Sequence, residues 1–239
     1  MSAALPHWLS AVTLNIFDPA PDFRADSTIG PLDFHAWKGG EWAALFSCPF
    51  AFTPVCTTEL GMLARRGSDF ERRGVKVLVT TVDTLDVYPQ WQADIARLYG
   101  APVGFPLVAD HDHAVAKLYG MIAPDELNVL PVLPGRWMKR VAEFANRTLF
   151  LISPSNRIAV TISYPPNVGL NFDEIIRVLD GLQMGKHKLA IPADWQQGDE
   201  MVVGRVLPDS VARARFGKLR TATHYLRFTD QPGYELWRR

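Results

Sequence analysis

The sequence predicts an α/β fold, a mixed central sheet flanked by helices, with a small α+β extension behind it. Three observations carry this expectation. Short runs rich in β-branched and apolar residues alternate with helical stretches, the order that layers strands and helices around one core. The chain has 239 residues and is 48% hydrophobic, enough for one large domain and a smaller companion. Near Met184-Gly185-Lys186 the texture changes to a proline-punctuated segment with short strand-like runs, so the expected domains are residues 1–183 and 184–239.

Each element has its own reason. Trp42 to Phe46 is a short apolar run suited to a buried strand. Thr57 to Phe70 carries Leu60, Leu63 and Phe70 at helical spacing. Val75 to Val82 is rich in β-branched residues and reads as a strand, and Tyr88 to Leu98 reads as a helix started by Pro89. A short strand over Phe105 to Ala109 precedes a short helix over Ala114 to Leu118. Leu149 to Ile152 and Ile158 to Ile162 read as paired strands, joined by the turn-forming Ser153-Pro154-Ser155-Asn156. A helix over Asn171 to Leu182 follows. The connection from Asp125 to Asn146 holds Pro131, Pro134 and Gly135 and reads as a lid, an interface arm or a loop.

Composition narrows the function classes. Lys plus Arg and Asp plus Glu both number 25, so no global field points to nucleic acid or an anionic membrane. No apolar run approaches the ~18 residues that span a bilayer, and the opening residues do not resemble a secretion leader, so a cytoplasmic protein is expected. Two cysteines are too few for a disulfide scaffold, which favours thiol chemistry over stapling. A Cys-x-x-Cys pair and glycine-rich phosphate motifs are both absent, which disfavours a dithiol reductase and a nucleotide site.

The thiol to explain is Cys56, placed where the strand ending near Phe46 hands over to the helix. A helix N-terminus offers unpaired N–H groups and the positive end of the macrodipole, so a thiol that normally titrates near ~8.5 can become a reactive thiolate. Thr53 can turn its hydroxyl toward the sulfur, and Pro49 and Pro54 restrict the loop around it. The competing reading is a small buried hydrophobe, since free cysteine is among the most buried residue types.

Pro49-x-x-x-Thr53-x-x-Cys56, extended through Thr57-Thr58-Glu59-Leu60, resembles the active-site loop of the peroxiredoxins, thiol peroxidases that attack hydroperoxides with a cysteine. The string Phe52-Thr53-Pro54-Val55-Cys56-Thr57-Thr58-Glu59-Leu60 is similar to the one-cysteine, peroxiredoxin-six-like branch. The resemblance runs on through Asn15-Ile16-Phe17-Asp18, Gly104 to Asp110, Arg147 to Ile152, Tyr164-Pro165, Asn171 to Ile175, Asp194-Trp195 and Tyr225 to Phe228. It implies a thioredoxin-like fold and reduction of hydrogen peroxide and organic hydroperoxides through a sulfenic acid, with no cofactor and no metal. Cys56 would be the nucleophile, with Thr53, Pro49 and Arg147 as its catalytic neighbours. Glu59 would orient Arg147, and backbone N–H groups after Val55 would hold the attacked oxygen. The implied partners are an external thiol such as thioredoxin or glutathione, and a second copy in a homodimer or ring, with the C-terminal domain as the dimerisation extension. From another class, the chain reads as a peroxide sensor or holdase switched by oxidation of Cys56.

Departures from that pattern are informative. Cys48 stands where the branch usually has histidine, and Leu170 where it usually has a second arginine. Cys48 reads either as a space-filler at a strand end or as a second thiol able to bridge to Cys56. His35 matches the histidine of a phospholipase-like triad credited to some members, but Glu41 and Ser155 replace its serine and aspartate, so lipase activity is not expected. Asp110-His111-Asp112-His113 has metal-ligand residue types but reads as a solvated loop. Trp91, Trp137 and Trp195 read as packing or interface anchors.

Overall fold

The computed structural model describes residues 14–122, 147–165 and 167–233. The connection from Asp125 to Asn146 and Trp137 within it lie outside the described residues. The chain forms two compact units, Met1–Leu170 and Asn171–Arg239.

In the first unit, β1 (Arg24–Ser27), β2 (Gly30–Asp33), β3 (Trp42–Ser47), β4 (Val75–Thr81), β5 (Leu107–Ala109), β6 (Arg147–Ile152) and β7 (Ile158–Tyr164) make one sheet in the order β2-β1-β5-β4-β3-β6-β7. β3, β4 and β5 run parallel and the other pairings are antiparallel, so the sheet is mixed, as expected. β6 is buried along its whole length, which is why Leu149 to Ile152 reads as a continuous apolar run rather than an alternating one. The core joins Phe34, Leu45, Leu78, Val108, Tyr119, Phe150, Ile152 and Ile158. Phe23 stacks on Phe34 at 4.8 Å, and Tyr119 meets Phe150 edge-on at 5.2 Å.

The helices of this unit are α1 (Phe34–Lys38), α2 (Pro54–Arg65), α3 (Gly67–Glu71), α4 (Tyr88–Tyr99) and α5 (Ala114–Leu118). The single helix expected over Thr57 to Phe70 is two, broken at Arg66 ahead of Gly67, a residue that weakens a helix interior. α2 also begins earlier than expected, because Pro54 fits the first turn, where a missing N–H costs nothing. That start places Cys56 inside the first turn. Gly61 lets α2 approach α4 closely: a Cβ there would fall 2.2 Å from the Tyr99 ring. β5 is shorter than Phe105 to Ala109 because Pro106 has no N–H to give, although its carbonyl still accepts from Val79.

The second unit holds α6 (Phe172–Met184), β8 (Leu189–Ala190), β9 (Met201–Val203), α7 (Asp209–Phe216), β10 (Arg220–Thr223) and β11 (Leu226–Thr229). Asn171 caps α6 by accepting from the N–H groups of Asp173 and Glu174, both acidic and favourably placed at a helix start. The four strands form an antiparallel sheet in the order β10-β11-β9-β8. Trp195 sits in its core with Met184, Leu189, Met201 and Val203 and donates its indole N–H to Asp199 O at 3.1 Å.

A buried lysine has no sign in the sequence pattern. Lys38 ends α1 with its ammonium buried among Gly39 O, Glu41 O, Ser153 O and Pro154 O at 2.8–3.2 Å, four acceptors sharing its three hydrogens. It ties the loop after α1 to the β6–β7 turn; burial, with Lys76 nearby, lowers its pKa. Lys38→Met keeps most of the packing but leaves four carbonyls short of a donor. In urea unfolding it is expected to lose about 2–4 kcal/mol of stability.

Candidate active site

Three elements bring the site together. β3 ends at Ser47, and the next residue, Cys48, is fixed by its N–H donating to Thr80 O at 2.9 Å. α2 presents Cys56 from its first turn and Glu59 one turn later on the same face. β6 pairs antiparallel with β3, Thr148 opposite Ser47, so Arg147 at the head of β6 arrives beside the end of β3. Among the described residues Cys48, Cys56, Glu59 and Arg147 are all at most 4% exposed.

Their side chains meet. Arg147 Nη1 donates to Cys56 Sγ at 3.6 Å and to Glu59 Oε2, with which it forms a buried ion pair. Glu59 Oε1 accepts the Leu170 N–H at 2.8 Å, so both carboxylate oxygens are engaged. Cys48 Sγ lies 3.6 Å from Glu59 Oε2, and the two sulfurs and a Glu59 oxygen are all within 4.8 Å of one another. Two thiols and a carboxylate are donor types a soft divalent cation accepts. Here a guanidinium already holds the same sulfur and oxygen, so the set is poorly suited to one.

The electrostatics favour a charged sulfur. The pKa of Cys56 is lowered to about 6, with a hydrogen bond from the Cys48 thiol as the largest cause; burial opposes, and the Arg147 charge and a Thr53 hydrogen bond assist. As the N3 residue of α2, Cys56 also has a backbone N–H without an intrahelical acceptor. Cys48 moves the other way: hydrogen bonding to Cys56 and burial push its thiol well above the ordinary value. Burial raises Glu59, with the Leu170 N–H and Arg147 pulling back. Burial works against the Arg147 cation, but the charges of Cys56 and Glu59 outweigh it and its pKa is raised. The Cys48 hydrogen has two acceptors in reach, the Cys56 sulfur and Glu59 Oε2. Thr53 is in the same position, since its single hydroxyl hydrogen also reaches Phe50 O at 2.9 Å.

The loop between β3 and α2 is held from outside. Asp83 Oδ2 accepts from the Ala51 N–H at 2.6 Å and the Thr81 hydroxyl at 2.9 Å, and Pro49 O accepts from Val82 N–H. Phe52 takes a left-handed φ of 60° and stays exposed, 6.3 Å from the Trp91 ring. Trp91 is fully buried and donates its indole N–H to Thr57 Oγ1 at 3.0 Å, so it anchors α4 to the first turns of α2. Val82-Asp83 resembles the end of a core strand of the family in sequence, but the role of Asp83 in holding this loop has no local signal.

The remaining candidates go elsewhere. Asp110 accepts the Val115 and Ala116 N–H groups at 2.8 Å each and Asp112 accepts that of Ala114, so these carboxylates start α5. His35 Nδ1 faces Asp22 at 3.8 Å, Glu41 faces Lys76 at 3.7 Å, and the Ser155 hydroxyl meets Ser153 at 3.1 Å. The three triad positions therefore have three separate partners.

Known proteins resemble this chain in sequence and fold. Residues 16–161 match the AhpC/TSA family. The chain is 38% identical over 221 residues to a 1-Cys peroxiredoxin of Dictyostelium discoideum, spanning 92% of this chain and 86% of that one. It is 39% identical over 226 residues to peroxiredoxin-6 of Gallus gallus, spanning 90% and 96%. Among solved structures, a cysteine-to-serine mutant of peroxiredoxin 6 of Arenicola marina aligns with a TM-score of 0.78 at 36% identity, covering 92% of this chain and 99% of that one. A yeast mitochondrial 1-Cys peroxiredoxin aligns at 0.76 and 34%, covering 91% and 100%. With a low-pKa thiol at a helix start and relatives along nearly its whole length, the chain belongs to the AhpC/TSA family and is a peroxiredoxin of the one-cysteine, peroxiredoxin-six-like branch, a thiol peroxidase.

Proposed function

We propose that Cys56 is the peroxidatic nucleophile and that it reacts as a thiolate held by Arg147. The observation that carries this is the 3.6 Å contact from Arg147 Nη1 to a buried sulfur whose pKa is lowered to about 6. The thiolate attacks one oxygen of R–O–O–H, the O–O bond breaks, and the departing alkoxide or hydroxide takes a proton to leave as alcohol or water. Cys56 is left as a sulfenic acid. Arg147 and the Thr53 hydroxyl donate to the charge as it moves from sulfur to oxygen, and the N–H groups of the first α2 turn supply further donors. Glu59 fixes the guanidinium. Pro49, buried between β3 and α2, helps keep bulk water from the sulfur.

Turnover then needs an external reductant: two thiol equivalents return the sulfenic acid to the Cys56 thiol, water leaves, and a disulfide forms between the two reductant sulfurs. Thioredoxin or glutathione are the proposed reductants, in keeping with the yeast 1-Cys relative, whose described thiol resolution runs through glutathione and thioredoxin systems. A homodimer, or a ring built from such dimers, in which the C-terminal domain serves dimerisation, and a cytoplasmic location complete the proposal. Among the described residues no helix is long and apolar enough to cross a membrane.

Cys56→Ser is expected to abolish peroxide consumption in a coupled reductant assay. Arg147→Gln keeps a hydrogen-bonding group but removes the cation, and its second-order rate with hydrogen peroxide at pH 7 is expected to fall about 100-fold. The reactive form of Cys56 exists above its pKa and is lost as pH falls through about 6. The stopped-flow rate should therefore rise between about pH 5 and 7 and then level off, whereas an ordinary thiol would keep gaining to about pH 9.

A further inference from the structure

The geometry points to Cys48 as a resolving thiol within the same chain: after Cys56 becomes a sulfenic acid, Cys48 attacks it and closes a Cys48–Cys56 disulfide. The inference rests on Cys56 being the nucleophile and adds a second catalytic residue. Both sulfurs are buried, within 4.8 Å of each other, and a Glu59 carboxylate oxygen lies 3.6 Å from Cys48 Sγ. A space-filler needs no such neighbours; this thiol has both the sulfur that peroxide would oxidise and a proton acceptor close to its own sulfur.

The step balances. Cys48–SH gives its proton toward Glu59 Oε2, its sulfur bonds to the Cys56 sulfur, and the S–OH bond breaks. The departing hydroxide takes that proton and leaves as water. Cys48 is oxidised by one electron and the sulfenic sulfur is reduced by one, so hydroperoxide remains the only oxidant.

Charge supplies the order of events. At rest, a hydrogen bond to the Cys56 thiolate is the largest influence that holds Cys48 in its protonated form, with burial and the charges of Cys56 and Glu59 acting the same way. Oxidation removes that negative charge. Burial and the Glu59 charge still oppose ionisation of Cys48, but the largest opposing influence is gone and the pull of the Arg147 charge remains. The first reaction thus prepares the second nucleophile. A disulfide closes at about 2.0 Å, so the sulfurs must draw together. Cys48 is tied to β4 through Thr80 O, while Cys56 rides on the first turn of α2, behind the left-handed Phe52, so the approach falls to that turn.

The test uses the full chain, reduced and freed of thiol, treated with one equivalent of hydrogen peroxide and read by intact mass, alkylation and peptide mapping. The expected result is loss of two hydrogens and a linked Cys48–Cys56 peptide. In Cys48→Ser and Cys48→Ala the dimedone-trappable sulfenic acid should persist about tenfold longer or more. A wild-type product with one added oxygen on Cys56 and an alkylatable Cys48 overturns the inference and leaves the peroxidase reading standing, as does a bridge between two chains. Unconsumed peroxide with both thiols alkylatable overturns both. Should the variants fail to fold, the wild-type product alone decides.

Discussion

The buried Arg147 cation is the constraint on which the rest of the site depends. It faces two acidic groups at once, the Cys56 sulfur and the Glu59 carboxylate. Placing a guanidinium and a carboxylate out of water costs several kcal/mol per ion, and only close, multiply hydrogen-bonded geometry offsets this. The structure meets that requirement through the Leu170 N–H on Glu59 and the paired sulfur. Together with the Cys48 hydrogen bond, which contributes most, and against the effect of burial, this cation makes a thiolate the favoured form of Cys56. Stability and reactivity draw on the same interaction.

The fold supplies the alignment. Arg147 reaches the site because β6 runs antiparallel to β3, and Cys56 and Glu59 reach it because α2 begins within a few residues of the β3 end. Slipping β6 by one residue would turn Arg147 to the opposite face of the sheet. Asp83 and Trp91 hold the intervening loop and the first turn of α2 from outside, without touching the reacting atoms. Lys38 does comparable work for the loops after α1 and β6, joining carbonyls from both. Helix α2 thus carries the Cys56 sulfur and the Glu59 carboxylate and strand β6 carries the cation, with Phe52 in a left-handed conformation in the loop ahead of α2.

Much of this was legible in the sequence. The continuous apolar character of Leu149 to Ile152 foretold a buried strand, and Pro49-x-x-x-Thr53-x-x-Cys56 singled out the sulfur. Local signals were weaker at element ends: Pro54 could equally have closed a loop or opened a helix, and only the packed structure shows that α2 starts there. Lys38 was not legible, because a lysine at the end of a short helix ordinarily points to water, and its acceptors include one 115 residues away in the chain. Asp83 was missed for the same reason, its work being done across a loop. The proximity of Cys48 to Cys56 was open at the sequence level: a separation that crosses a strand end and a helix start permits contact without requiring it, and the turn through Phe52 brings the sulfurs within 4.8 Å.

A direct measurement of the sulfur's charge tests the central claim. Thiolate ultraviolet absorbance, followed against pH for the reduced wild-type chain and for Cys56→Ser, reports ionisation without any reaction. The account predicts a step centred near pH 6 in the wild type that is missing from the serine variant. A wild-type chain with no step below about pH 8, where an unassisted thiol titrates, would contradict it.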